Sequence, residues 1–281
     1  MTLILDGKKA RDYYKVGLAS RVASLEKTSG TKPCLAILQV GDNRESGVYI
    51  EQKKKFGTAI GAVVDHIRFP VDITQADIEA RVADLNADAS VHGIIVQLPL
   101  PPQIDRLALM NAIDSNKDVD GLSERNQSLL SEGKPHMIPA TAKGIMMLLD
   151  FYKVSVTGKT AAVFGRSRLV GGPIASLLRA KGASVSVIHS QTPDPVSISR
   201  GADIIIAALG QPRYITEDFV RKNVLVVDVG ITGIDGKLVG DVDFDSVAPI
   251  ASAISPVPGG VGPMTVLALF DNLILSAETS E

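Results

Sequence analysis

"GKTAAVFGRSRLVGGP", residues 158–173, places a short apolar run, a glycine turn and the opening of a helix in immediate succession. A dinucleotide-binding unit of a parallel α/β sheet begins in this order. Its strand ends in a tight turn, and the next helix offers its first amides to a pyrophosphate. The spacing is not the usual one. Gly165 is in place, but Ser167 stands where a second glycine belongs and Gly171 comes one position late. Taken alone, the stretch fits an ordinary strand-to-helix turn equally well. The following strand, "SVSVIHSQT", sharpens the reading. An NAD site is expected to end that strand with Asp or Glu, about 20 residues on, for the ribose 2′-hydroxyl. Here the strand ends in His189, Ser190 and Thr192, with no carboxylate. Arg166 in the first turn and Ser190 after the second strand can instead hold a 2′-phosphate, by charge and by hydroxyl donation. NADP is the expected cofactor. Two later strand ends, "ALGQP" and "VGIT", lie along the same crevice, so Gly210 and Ile231 are expected to line it.

The alternation of apolar runs and helix-like segments continues in both directions. Upstream, "CLAILQVG", "VVDHIRFP" and "VHGIIVQLPLP" read as strands, and "TQADIEARVADLNAD" as a helix with Thr74 at its N-cap. Downstream, "ADIIIAAL" and "VLVVDVG" extend the second set. An Asp-rich stretch, "DSNKDVDGLSERNQS", breaks the pattern, and "PATAKGIMMLLDFY" supplies a connecting helix. The expected fold is α/β: two domains around a cleft, the second a Rossmann-type doubly wound parallel sheet. Residues 1–140 and 264–281 are assigned to the first domain and 141–263 to the second. The apolar helix "GPMTVLALFDNLILSAE", with Pro263 in its first turn, then packs back on the first domain.

Composition narrows the function. The 281 residues are 45% hydrophobic and 21% charged, which suits a globular protein with a substantial core. A net charge of −2 lacks the basic surplus of a nucleic-acid-binding surface. Cys34 is the single cysteine, so no intrachain disulfide or thiolate cluster can form, and a reducing compartment is expected. The start of the chain has no signal-peptide pattern, and no run of about 18 apolar residues reads as a membrane span. The four histidines are scattered without ligand spacing, and no metal site is expected. The expected setting is the cytoplasm, with no membrane and no nucleic acid as partner.

Three further segments carry chemistry. "YIEQKKKFGTAIGA", residues 49–62, has three lysines in a row inside an amphipathic pattern. Such a run is ordinarily a solvated face. At about 100° per residue, however, Tyr49, Lys53, Phe56 and Ile60 share one stripe, while Lys54 and Lys55 point elsewhere. Lys53 must then snorkel out or sit in a cleft, and a partly desolvated lysine has the lowered pKa that proton shuttling needs. "VQLPLP" closes a strand with Gln97, a polar side chain in an apolar run that reads either as an edge amide bonded to backbone or as a site residue. Val96 and Leu98, on either side of it, join it as expected substrate contacts. In "KDVDG", Asp118 and Asp120 are either turn chemistry or a carboxylate for a flat heterocycle with adjacent donors. "SPVPGGVGPMT" sets Pro258, Gly259 and Gly260 before the last helix, where the glycines permit close approach of a ligand.

These segments together resemble the bifunctional methylenetetrahydrofolate dehydrogenase/cyclohydrolase family over nearly the whole chain. The matching stretches are "YIEQKKK", "GIIVQLPLP", "KDVDGL", "GRSRLVGGP", "HSQT", "VVDVGI", "GDVDF" and "SPVPGGVGPMT", in the family's order. The resemblance implies a catalytic lysine at Lys53 with Gln97 holding it, and Tyr49 stacking on or bonding near a folate. It implies a pterin-reading carboxylate at Asp120, and NADP contacts at Gly165, Arg166 and Ser167. It further implies tetrahydrofolate derivatives as substrates, a homodimer, and two reactions. These are NADP-dependent oxidation of 5,10-methylenetetrahydrofolate to the methenyl form and hydrolysis of that product to 10-formyltetrahydrofolate. The chain departs from the family at Ala140 and Ala142, where Cys and Pro are usual, and at Ser123 and Glu124, where many bacterial members have His-Pro. Two other readings compete: a shikimate-type NADP dehydrogenase, and a non-catalytic NADP(H)-sensing regulator, for which no helix-turn-helix or basic arm is visible.

Overall fold

A computed structural model of the chain describes residues 2–280. Its contacts separate two compact units, Met1–Asp12 with Thr141–Thr265 and Tyr13–Ala140 with Val266–Glu281. The chain opens with β1 (Leu3–Ile4) and α1 (Gly7–Ser29).

In the unit built on residues 13–140, three parallel strands, β2 (Cys34–Val40), β3 (Val63–Phe69) and β4 (Gly93–Val96), lie in the order β3-β2-β4. They are joined through α2 (Arg44–Ile60) and α3 (Gln75–Ala87). Leu35, Ala36, Ile37 and Leu38 of β2 are all fully buried. A parallel sheet covered on both faces needs such a continuous apolar run rather than alternation. The Thr74 hydroxyl caps α3 by accepting from the Asp77 amide, and Ile78, Val82 and Leu85 form its buried stripe. Beyond β4 come α4 (Arg106–Ala112) and α5 (Glu124–Ser131). The second of these lies inside the Asp-rich stretch that the sequence pattern leaves irregular. Ser123, one of the departures from the family pattern, is its N-cap.

The other unit follows α6 (Ala140–Phe151) and contains β5 (Thr160–Phe164), α7 (Gly171–Ala180), β6 (Ser184–Ile188), α8 (Pro195–Arg200), β7 (Ile204–Ala207) and β8 (Leu225–Asp228). A hairpin, β9 (Thr232–Ile234) and β10 (Lys237–Val239), leads to α9 (Phe244–Val247) and β11 (Ala253–Ile254). Six parallel strands run in the order β1-β11-β8-β7-β5-β6. The core on one side of this sheet gathers Phe164, Ile188, Ile205, Val226 and Ile254. Because β5 is flanked by β6 on one side and β7 on the other, the connections leave it in opposite directions. The carboxyl ends of β5 and β7 therefore bound a crevice, the usual ligand position in a doubly wound sheet.

The sequence division places residues 1–12 with 13–140, whereas here they group with 141–265. Leu3 and Ile4 pair with Ala253 and Ile254, and the Gly7 amide donates to the Gly259 carbonyl at 2.9 Å. Two-residue strands are too short to show a period, and their partners lie some 250 residues away along the chain. The last helix, α10 (Val261–Thr279), is long and apolar enough by composition to cross a membrane. Its Leu267, Phe270, Leu273 and Ile274 are instead fully buried in the protein. Its polar residues fasten the first domain: Asn272 Nδ2 donates to the Val119 and Ile138 carbonyls, each at 2.8 Å, and Ser276 Oγ to those of His92 and Asn116.

Candidate active site

The helix α2 starts where Asn43 accepts a hydrogen bond from the Ser46 amide and stops at Gly61, whose φ of 88° ends helical bonding. Between these caps Phe56 and Ile60 are buried, with Phe56 packed on Phe270 at a ring separation of 5.3 Å. That packing fixes the rotation of the helix, and with it the face that carries Tyr49 and Lys53, both half-buried. Lys54 pairs with Glu51 at 3.0 Å and Lys55 is exposed. The three lysines thus divide as the helical period predicts.

Lys53 Nζ donates to Gln97 Oε1 at 2.8 Å. The amide of Gln97 is oriented by its other end, because Nε2 donates to the Leu98 carbonyl at 3.0 Å and leaves Oε1 to face the lysine. The same carbonyl accepts from Ser46 Oγ at 3.0 Å, which ties the first turn of α2 to the end of β4. The Gln97 side chain thus bonds backbone at one end and Lys53 at the other. Ser46 was not visible as a site residue; its signal is a hydroxyl one turn after a helix cap. Val96 lies in the apolar cluster with Leu38, Val40 and Ile104, so its backbone rather than its side chain is on offer, and Leu98 is half-buried.

The "KDVDG" segment runs alongside β4, where Ile94 bridges to Asp118 and its amide donates to the Lys117 carbonyl. The three charged residues of this segment have three different tasks. Lys117 Nζ donates to the carbonyls of Leu85, Asn86 and Asp88, capping the end of α3. Asp118 is buried and accepts from the Ser123 amide at 2.8 Å, Asn126 Nδ2 at 2.9 Å and the Leu122 amide at 3.2 Å, so it closes the turn and starts α5. The Asp120 carboxylate accepts no hydrogen bond among the described residues; the backbone carbonyl accepts from the Ala140 amide at 3.2 Å. Burial pushes its carboxyl up to about 6, against the attraction of Lys53. Burial likewise lowers the Lys53 ammonium, with Asp120 opposing. A lysine and an aspartate that are both disfavoured in their charged forms, one of them with no hydrogen-bond partner, are suited to a polar ligand and a moving proton.

Pro258, Gly259 and Gly260 belong to the other unit. There the Gly260 amide donates to the Pro256 carbonyl at 2.8 Å and Gly7 to Gly259, so the loop is anchored by its own backbone and by the start of α1. At the end of β5, Gly165 has φ of 104°, and an added Cβ would stand 2.2 Å from the Ala208 carbonyl oxygen. Only glycine allows the turn after β5 to approach the end of β7 so closely. The Ser167 hydroxyl accepts from the Val170 and Gly171 amides at 3.2 and 3.4 Å, occupying helix amides that a second glycine would leave open. The residues present fit a dinucleotide carrying an extra phosphate. Arg166 is exposed, as is Ser190 after β6, and neither has an ion pair or hydrogen bond among the described residues. Gly210, at the end of β7, and Ile231, past β8, are both exposed. The buried carboxylates Asp228 and Asp241, which hold these strand ends, went unread in the sequence; their signal is an acid beside glycine in "VDVG" and "GDVD".

Comparison with known proteins agrees with this architecture. Residues 5–120 match the tetrahydrofolate dehydrogenase/cyclohydrolase catalytic domain, and residues 139–281 the NAD(P)-binding domain of the same family. Bifunctional protein FolD of Streptococcus pneumoniae serotype 4 is 44% identical over 278 residues, covering 99% of this chain and 98% of that one. The bifunctional FolD structure from Campylobacter jejuni superposes with a TM-score of 0.96 at 41% identity, covering 99% of both chains. The Trypanosoma brucei enzyme, complexed with NADP and inhibitor, gives 0.94 at 36% identity, covering 99% of this chain and 98% of that one. A shikimate dehydrogenase from Aquifex aeolicus shares the fold alone, with a TM-score of 0.52 at 12% identity. With both of its domains matched in order, the chain belongs to the tetrahydrofolate dehydrogenase/cyclohydrolase family.

Proposed function

We propose that the chain oxidises 5,10-methylenetetrahydrofolate with NADP⁺ and then hydrolyses the methenyl product to 10-formyltetrahydrofolate, with Lys53 as the acid/base of the second reaction. The observation that carries this reading is the Lys53–Gln97 hydrogen bond of 2.8 Å beside the uncommitted carboxylate of Asp120. The bound dinucleotide supplies the hydride acceptor. The folate's own nitrogens activate the reacting carbon, so the protein chiefly positions rings and manages protons. For hydrolysis, Lys53 in its amine form takes a proton from the water that adds to the methenyl carbon. The resulting ammonium returns a proton to N5 as the carbon–N5 bond breaks, and the carbinol hydroxyl releases its own proton to water as the formyl C=O forms, the one proton the hydrolysis liberates. The lowered pKa of Lys53 makes the amine accessible, and Gln97 Oε1 holds Nζ in either state. Asp120 is assigned to the adjacent donors of the pterin edge, and Tyr49, one turn before Lys53, to its ring.

Residues 13–140 with the C-terminal helix from 266 are accordingly taken as the folate-binding catalytic domain, and the six-stranded unit as the NADP domain. The Pro258–Gly260 loop, with Leu98, is assigned to folate contact. Gly165, Arg166, Ser167, Ser190, Gly210 and Ile231 are assigned to the dinucleotide. Preference for NADP rests on the free Arg166 guanidinium and on the lack of a carboxylate after β6. The family resemblance supports a cytoplasmic homodimer. The test is one absorbance experiment with methylenetetrahydrofolate and either NADP⁺ or NAD⁺. Methenyltetrahydrofolate and NADPH should appear together and the former should then decay faster than it does without protein. Absence of either phase would overturn the assignment.

A further inference from the structure

Two buried carboxylates in the six-stranded unit are not used by the chemistry above. Asp228 ends β8 and is 3% exposed; Asp241 follows β10 and is fully buried. Among the described residues neither forms an ion pair. Asp228 Oδ1 accepts from the Gly230 and Asp241 amides and Oδ2 from the Val242 amide, each at 2.9 Å. Asp241 in turn accepts from the Leu209 and Gly210 amides, both on Oδ2, while its Oδ1 has no hydrogen-bond partner among the described residues. The bonds form a relay. The end of β8 grips the chain returning from the β9–β10 hairpin, and that chain grips the loop after β7. Glycines face both acids. A Cβ on Gly240 would fall 1.9 Å from Asp228 Oδ2, and one on Gly230 would fall 2.3 Å from Asp241 Oδ1. Room is made for the carboxylates at two separate positions.

Burying two acids without a cation is unfavourable. Burial pushes Asp228 up to about 6 in spite of three amide bonds, and Asp241 adds to the push. A fold that only needed to close a loop could do so with neutral groups. What the pair holds lies at the carboxyl ends of β7 and β8, at Leu209–Gly210 and Gly230–Ile231.

We propose that Asp228 and Asp241 are positioning residues for the dinucleotide, fixing the two strand-end loops as one rigid rim of its crevice. This rests on the reading that Gly210 and Ile231 line that crevice. Neither acid touches the reacting atoms. Their effect is confined to dinucleotide binding, while hydrolysis of methenyltetrahydrofolate, which uses no dinucleotide, reports independently on whether the protein is folded.

The experiment measures both reactions in Asp241→Asn, Asp241→Ala and Ile231→Ala. Asparagine keeps the shape and one acceptor for the Leu209 and Gly210 amides but loses the charge. It should raise the KM for NADP⁺ about three- to tenfold. Alanine removes the acceptor altogether and should raise it by more than tenfold, with kcat changing less than KM. Cyclohydrolase activity should stay within about twofold in Asp241→Asn, which keeps the comparison valid if Asp241→Ala does not fold. An unchanged KM for NADP⁺ in Asp241→Asn would overturn the proposal, and so would a proportional loss of both activities. Ile231→Ala separates the two layers of the argument. If it leaves the KM unchanged, the reading of the crevice fails. If it raises the KM while both Asp241 variants do not, only the positioning role fails.

Discussion

Replacing Asp118 and Asp120 singly by alanine should produce opposite failures, although the two residues differ by only two positions in one turn. Asp118→Ala removes the acceptor for three donors, two of them at 2.8 and 2.9 Å and one at 3.2 Å. A hydrogen bond to a charged group contributes about 1.5–3 kcal/mol, and the donors left behind are buried. The two short bonds therefore set the loss at about 3–6 kcal/mol. For a chain of this size that corresponds to a fall in Tm of roughly 6–24 °C, at about 2–4 °C per kcal/mol. The Asp120 carboxylate accepts no hydrogen bond among the described residues, and burial raises its pKa from 3.8 to about 6. A raised folded-state pKa means stability that is fully present below about pH 4 and lost as pH rises through 6. At pH 7 the ionised carboxylate costs up to about 3 kcal/mol, with the attraction of Lys53 already included. Asp120→Ala should consequently be as stable as the parent at pH 7 or more so, with the advantage fading below about pH 4, and should bind folate poorly. Thermal melts at pH 4 and 7, with folate titrations of each variant, check both halves. A stable Asp118→Ala beside an unstable Asp120→Ala would refute the division of labour within this turn.

Substitutions at two other residues test separate parts of the proposed chemistry. Arg166→Ala should raise the KM for NADP⁺ about tenfold or more while leaving that for NAD⁺ nearly unchanged, since a charge-assisted phosphate contact is worth about 1.5–3 kcal/mol; equal losses with both cofactors would remove the 2′-phosphate assignment. Gln97→Glu puts a carboxylate against Nζ and should raise the Lys53 pKa, so the acid limb of the cyclohydrolase pH–rate profile should move to higher pH, whereas Gln97→Met should not move it upward.

The larger elements were legible because each is specified locally. The apolar runs of β2, β4, β5 and β7 and the helical stripe of α2 need no knowledge of partners, and the stripe alone separated Lys53 from Lys54 and Lys55. Gln97 could be suspected because an amide in an apolar strand has to bond something. The choice between Asp118 and Asp120 was not legible without the family resemblance. It depends on α5, whose N-cap Ser123 and first-turn Asn126 supply the two short bonds to Asp118, and α5 begins inside a stretch whose polarity hides it. β1 and β11 are two-residue strands defined only by each other. The roles of Asp228 and Asp241 follow from a 13-residue return through the β9–β10 hairpin, a tertiary fact with no local pattern.

The central claim is that Lys53 alone of the three lysines moves protons in the cyclohydrolase reaction. The most direct measurement is the decay of methenyltetrahydrofolate with Lys53→Met, Lys54→Met and Lys55→Met, corrected for spontaneous hydrolysis. Methionine keeps the length and apolar stem while removing the amine. Lys53→Met should lose about 10²–10⁴-fold, the usual cost of deleting a positioned acid/base, with dehydrogenase activity reduced less. Lys54→Met and Lys55→Met should remain within a few fold of the parent in both reactions. Hydrolysis persisting in Lys53→Met, or vanishing in Lys54→Met or Lys55→Met instead, would contradict the account.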